Sequence, residues 1–418
     1  MAIISRPLVI IALCALTLGT RPVLAGTWSG KTEVVDGVTH VRNPATPVEA
    51  LNTISPEELW RVGGDDDEDI IFGVLTSIAT DARGNVYLLD AQLSQVYVHS
   101  ADGEYLRTIG REGEGPGEFR RTSDMFITPD GNVAVLQRMP GKIILLDTEG
   151  EPMGLYPTPT RDDGSPVFFR GGGVAGDDLV LAMREFARKE NSVDLTSVLA
   201  RVNSQGEVVA TYHRESRSRD FAKMTFDEKA DAQVLWAADR NGRVYTNNDF
   251  DAYAINVFGT DGSLEYVIDR EYTHRKRSAA EIERNKPRVQ IRARNHRIEP
   301  ETRASETDRD IQSLYARDDG TLWVLPSRGA YSPDGVIATF DVFDEEGHFV
   351  QQVAIKGDGS YRDDGLHFVG DRLYVVRGLR SAQDAMYGEG GDSEDEDEEP
   401  EPMAIICYDL AGIVKAAR

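Results

Sequence analysis

Short runs in which apolar and polar residues alternate recur along the whole chain, each bounded by Gly, Asp or Asn. Alternation with a period of two marks β-strands, and the bounding residues mark turns. One piece, a turn followed by a strand, recurs six times: "DARGNVYLLD" (81–90), "TPDGNVAVLQ" (128–137), "VAGDDLVLAM" (174–183), "DRNGRVYTNN" (239–248), "RDDGTLWVLP" (317–326) and "FVGDRLYVVR" (368–377). A second piece follows each copy: "HSADGEYLRTIG", "LDTEGEPMGLY", "VNSQGEVVATY", "FGTDGSLEYVI", "FDEEGHFVQQV" and "YDLAGIVKAA". Asp-Gly and Asn-Gly suit tight hairpins because glycine accepts positive φ without a steric cost. The first turn joins strand A to strand B, and the second joins strand C to strand D. Four strands per unit and six units predict an all-β chain: a single six-bladed β-propeller with four-stranded antiparallel blades and a small helical or irregular insert. Segments such as "VYLL", "VAVL" and "LWVL" carry few charges, as strands sandwiched between neighbouring blades should. "PEELWRVGG" (56–64) is expected to supply the outer strand of one blade and close the ring, with "YDLAGIVKAA" beside it.

The pattern also places boundaries. Residues 1–25 hold Arg6, an apolar run from Leu8 to Leu18 and the small-residue ending Val23-Leu24-Ala25, which reads as a cleaved secretory signal peptide. The run is too short to span a bilayer, so a secreted or periplasmic protein without a membrane span is expected. Residues 26–55 read as an N-terminal extension, and 56–418 as the propeller. Three inserts break the period: 184–196, 273–310 and an acidic low-complexity loop at 388–402 that should be solvated. Within 273–310 a short helix is predicted from Ser278 to Asn285. Ser278 is its cap, Glu281 stands at the capping-box spacing and Pro287 ends it.

"WSGKTEVVDGVTHVRNP" (28–44), the six repeats and "GREGEGPGEF" (110–119) together resemble secreted bacterial six-bladed β-propeller proteins related to NHL-repeat propellers. The resemblance covers nearly the whole chain after residue 25. It implies the fold strongly and no particular activity, since such propellers host both binders and enzymes.

Candidate chemistry changes this picture little. "GREGEGPGEF" has no Gly-Lys-Ser/Thr ending and no Gly-x-Gly-x-x-Gly spacing, and its three glutamates would repel a phosphate. It reads as a joint between the first two blades, with Phe119 as a plug between them. The seven histidines show no zinc spacing. "DDDED" (65–69) lacks the spaced ligands of a calcium loop. No Gly-x-Ser-x-Gly elbow is present. No metal, cofactor or catalytic residue is therefore assigned.

Charge is more informative. The formal net charge is −25, and removal of Arg6 and Arg21 with the leader takes it to −27. This excludes nucleic acid and anionic lipid as partners. The only cysteine after the leader is Cys407, so no intrachain disulfide is expected. Against this acidic background, the positions just past strand B hold Asp90, Arg138, Arg184, Asn248, Arg328 and Arg377. Four arginines near one mouth form a candidate site for a small anionic ligand or a protein partner, because guanidinium forks grip carboxylate or phosphate two-pronged. The competing expectation is that they pair with neighbouring carboxylates. Residues 274–297 carry nine Lys/Arg against two Glu. They are expected to bind an acidic partner or to dock as a lid on the protein's own acidic rim, where high salt would loosen them. The favoured function is a non-enzymatic binding module. The alternative is a hydrolase or lyase, lactonase-like, with a metal in the central channel.

Overall fold

The computed structural model describes residues 26–64, 70–161, 167–220, 225–287, 291–293, 296–298, 300–386 and 402–412. The expected signal peptide, the run 65–69 and nearly all of the acidic loop lie outside them. Six antiparallel sheets follow in chain order: blades 1 (75–109), 2 (122–155), 3 (168–220), 4 (235–270) and 5 (311–356) each supply strands A to D consecutively. Blade 6 takes Gly365–Val369, Arg372–Arg377 and Ala404–Asp409 from the end of the chain and Glu57–Gly63 from its start. The outer place in blade 6 is thus held by the N-terminal strand, whereas the residues after Gly412 lie outside the described range.

The sequence pattern explains the stacking. Val86–Asp90, Val133–Gln137 and Leu322–Pro326 are buried along their whole length, because each B strand is covered on both faces. Six apolar cores result, one in each junction between adjacent blades. Phe119 is fully buried between blades 1 and 2, in contact with Tyr87, Ile109, Val135 and Leu146. It fills the place predicted for it, and a Cβ on Gly110 would meet its ring at 2.3 Å. The glycines of all six A–B turns, of the five C–D turns of blades 1 to 5 and Gly412 after the last described strand have φ between +55° and +94°, which explains their recurrence. Cys407 is buried and unpaired between blades 6 and 1.

Residues 26–54 are ordered against the ring. Lys31–Val35 and Val38–Asn43 form a hairpin that adds to blade 4, with Val38–Asn43 running parallel to Leu264–Arg270. Asn52–Ile54 adds parallel to the outer strand of blade 5, Phe349–Lys356. Asn43, 2% exposed, joins the two blades: its amide donates to Asp269 O and Gly347 O, and its Oδ1 accepts from Phe349 N at 2.7 Å.

Strand alternation sorts the connections by face. A–B and C–D turns lie on one face, and B–C and D–A connections on the other. The A–B and C–D turns are short. All the long connections, including the extended hairpin of Asp178–Arg188 and Ser192–Val202, therefore gather at one mouth of the channel. Three short helices also lie there: α1 (Ala279–Arg284), α2 (Ser327–Ala330) and α3 (Leu379–Met386). Helix α1 has the predicted capping box, with Ser278 and Glu281 exchanging bonds. No helix of the described residues is long and apolar enough to cross a membrane.

Candidate functional site

The inner strands share an irregularity at the loop-bearing mouth. Pairing of strand A with strand B slips by one residue at Thr76, Ser123, Arg170 and Gln312, in blades 1, 2, 3 and 5. Such bulges re-aim a side chain and bend the strand, and they favour the rims of closed sheets. Beside them the Asp124 carboxylate accepts from Ser77 Oγ at 2.8 Å and from Gly172 N at 3.0 Å, linking blades 1, 2 and 3. Burial raises its pKa against these donors.

A cavity of about 760 Å³ opens over blades 5, 6 and 1. Thr76, Gln312 and Ser313 reach it from two inner strands, and His367 reaches it from the third. Helices α1 and α3 roof it with Arg284, Gln383 and Asp384. The Thr76 hydroxyl oxygen is buried without a partner among the described residues. Desolvation alone lowers the His367 pKa to about 4, so its imidazole is neutral at physiological pH.

The roof is anchored by ion pairs. Arg277 donates to Glu228 through two nitrogens, at 2.6 and 2.8 Å, and through Nε to Asp308 at 2.6 Å. Arg275 joins Asp308 to Glu281 and lies over the Tyr331 ring at 3.4 Å. The neck of the insert closes through Arg277 N to Glu306 O and Asp308 N to Arg275 O. The cations at positions 275 and 277 thus dock on the protein's own carboxylates.

The six residues singled out by sequence stand in different states. Asp90 is fully buried, and its carboxylate accepts from the backbone N–H groups of Gly73, Val74, Gln92 and Leu93, so it shapes the turn. Asn248 is exposed at a shallow depression with Asp227, Lys229 and Asp251, while its neighbour Asn247 is buried and holds Arg309. Arg328 is exposed, and its Nε donates to Thr273 O at 3.2 Å, at the root of the insert. Arg377 pairs with Asp358 and Asp364. Arg138 and Arg184 differ: each is half-buried, and the Nε of each is buried without an acceptor among the described residues. Their blades are adjacent. A Cβ on Gly141, in the turn after Arg138, would meet Val167 O at 2.1 Å, and the next residue, Phe168, pairs with Arg184. Desolvation lowers the Arg184 pKa, followed by repulsion from Arg219. The structure therefore separates the blade 2 and 3 arginines from the committed ones on blades 5 and 6.

Thr76, Gln312 and His367 belong to A strands and lie outside the positions past strand B. A signal was available, because "LTS", "TSD" and "IQS" open three A strands with polar residues where apolar alternation would continue. His367 sits beside an ordinary strand pattern and has no such marker.

A family model described as 6-bladed beta-propeller (DUF5128) matches residues 67–280, just over half of the chain. Among curated proteins none matches. Three solved structures are similar. A member of the DUF4221 family from Bacteroides vulgatus is 9% identical, with 84% of this chain and 97% of that one covered and a TM-score of 0.47. A protein from Bacteroides fragilis is 12% identical, with 86% and 99% covered and a TM-score of 0.46. A gluconolactonase from Xanthomonas campestris is 12% identical, with 81% and 87% covered and a TM-score of 0.39. At these identities and scores the likenesses carry no argument about what this chain does.

Proposed function

Because the chain belongs to the 6-bladed beta-propeller family matched over residues 67–280, whose fold leaves function to its loops, we propose that it is an exported binding module for an anionic ligand at the loop-bearing mouth. The observation that carries this reading is the pair Arg138 and Arg184, whose buried Nε atoms have no acceptor among the described residues. A buried donor without an acceptor costs about 1–3 kcal/mol, more when charged, and a carboxylate or phosphate would relieve it in fork geometry. The protein's net charge of −25 makes a local cationic pair the place where an anion would be held.

The lactonase-like alternative needs metal ligands converging on the channel. Among the described residues, the only group of three His, Cys, Asp or Glu side chains able to share an ion is Asp344, Glu346 and His348. It lies in the C–D turn of blade 5, on the opposite face. No observation at the mouth favours that alternative.

Calorimetric titration with succinate and with inorganic phosphate tests the proposal. One of them should bind, and Arg138→Ala or Arg184→Ala should weaken it tenfold or more. Arg184→Lys should restore little, because lysine keeps the charge and loses the fork. Absence of binding by both anions, or binding indifferent to both alanine variants, would refute it.

A further inference from the structure

We infer that the roofed cavity over blades 5, 6 and 1 is a second binding site, for an uncharged polyhydroxylated small molecule. Its volume of about 760 Å³ lies within the range of small-molecule pockets. It is built from three blades and helices α1, α2 and α3.

Charge selects the class. The lining holds five Lys or Arg and five Asp or Glu, so neither sign dominates. Five of the ten are ion-paired: Arg277 and Asp308 with each other, Arg277 also with Glu228, Lys286 with Glu283, Glu281 with Arg275, and Asp364 with Arg377. An anion would meet carboxylates at this wall, and a cation would meet guanidinium groups.

Uncommitted groups specify the recognition. The neutral His367 imidazole offers one donor and one acceptor, and nothing in the described protein bonds to its ring. The buried Thr76 Oγ1 offers the same two capacities. The Gln383 amide and the Asp384 carboxylate add further donors and acceptors from the roof. A hydroxyl group also donates and accepts at one atom, so a molecule carrying several hydroxyls matches such a wall. Tyr315, Tyr331 and Tyr361 add apolar surface for the carbon skeleton. Arg138 and Arg184 do not line this cavity, so the site is separate from the anion site.

Calorimetric titration of the purified protein with sorbitol, glucose and maltose tests the inference. At least one of the three should bind saturably. Thr76→Val, which keeps the side-chain shape, and His367→Gln should each weaken that binding tenfold or more. Arg138→Ala should leave it unchanged. Affinity should hold from neutral pH down to about 5 and fall towards pH 4, as protonation removes the imidazole acceptor. Should His367→Gln fail to fold, Thr76→Val and the pH profile carry the same test. No saturable binding by any of the three, or binding untouched by both cavity variants, would overturn the inference. Loss of that binding on Arg138→Ala would merge the two sites and overturn it as well.

Discussion

Replacing Arg277 with leucine should release the insert that roofs the cavity without melting the propeller. The Arg277 side chain is 5% exposed and that of Asp308 is 4% exposed, so the pair is shielded from water. The substitution removes two bonds to Glu228 and one to Asp308. It leaves Asp308 with Arg275, and Glu228 with the backbone N–H of Ser305 at 2.9 Å. Breaking one partner of a buried pair costs about 3–5 kcal/mol. The insert is held at its neck and not inside a blade core, so the cost should appear as local opening, raised on the order of a hundredfold to a thousandfold. Hydrogen exchange followed by mass spectrometry reads this directly, in peptides covering 273–287 and 300–310. The unfolding midpoint of the blades serves as the internal control. Adding Glu228→Leu to Arg277→Leu should cost less than Glu228→Leu does alone, because the stranded carboxylate goes with it. Molar salt, expected from the sequence to loosen the lid, should do little, since screening acts weakly on buried pairs. Exchange in these peptides changing less than about threefold would refute the clamp, and so would a large effect of salt alone.

Two further outcomes follow from packing and titration. Phe119→Ala should destabilise the protein by about 3–5 kcal/mol in urea titrations, since it empties a fully buried ring between blades 1 and 2; a loss below about 1 kcal/mol would contradict its role as a plug. His367 titrates near 4 in the folded protein against an ordinary 6.5, so its folded pKa is depressed. Its contribution is complete above about pH 6.5 and is lost as pH falls from there to about 4. Urea midpoints across that window should fall less steeply for His367→Gln than for the parent protein.

The propeller was legible because its rules are local. Each blade announces itself through a turn glycine held at positive φ and a B strand covered on both faces, and both requirements act within about ten residues of sequence. The capping box of α1 was readable for the same reason, since Ser278 and Glu281 satisfy each other three residues apart. The segment 26–54 was not readable as part of the sheets. Its partners, Leu264–Arg270 and Phe349–Lys356, lie hundreds of residues away, and parallel pairing leaves no hairpin signature. At the site, sequence located the arginines past strand B and could not sort them. Whether an arginine is spent depends on carboxylates such as Asp358, brought beside Arg377 by the ring. The polar openings at Thr76 and Gln312 were visible in the sequence, but the bulges they form were not, because an extra residue in one strand shows only against its partner.

The way the ring is sealed also sets an order of events. Val38–Asn43, Asn52–Ile54 and Glu57–Gly63 are made before their partners in blades 4, 5 and 6, and Ala404–Asp409 is made after every other strand of the ring. Blades 1, 2 and 3 can assemble as local meanders during synthesis, because each uses four consecutive strands. Glu57–Gly63 must wait, without its partner strand, until Ala404–Asp409 exists. A nascent chain halted before Ala404 would hold an open arc with an orphan strand at its head. Keeping that strand from pairing elsewhere is a demand that the finished molecule no longer displays.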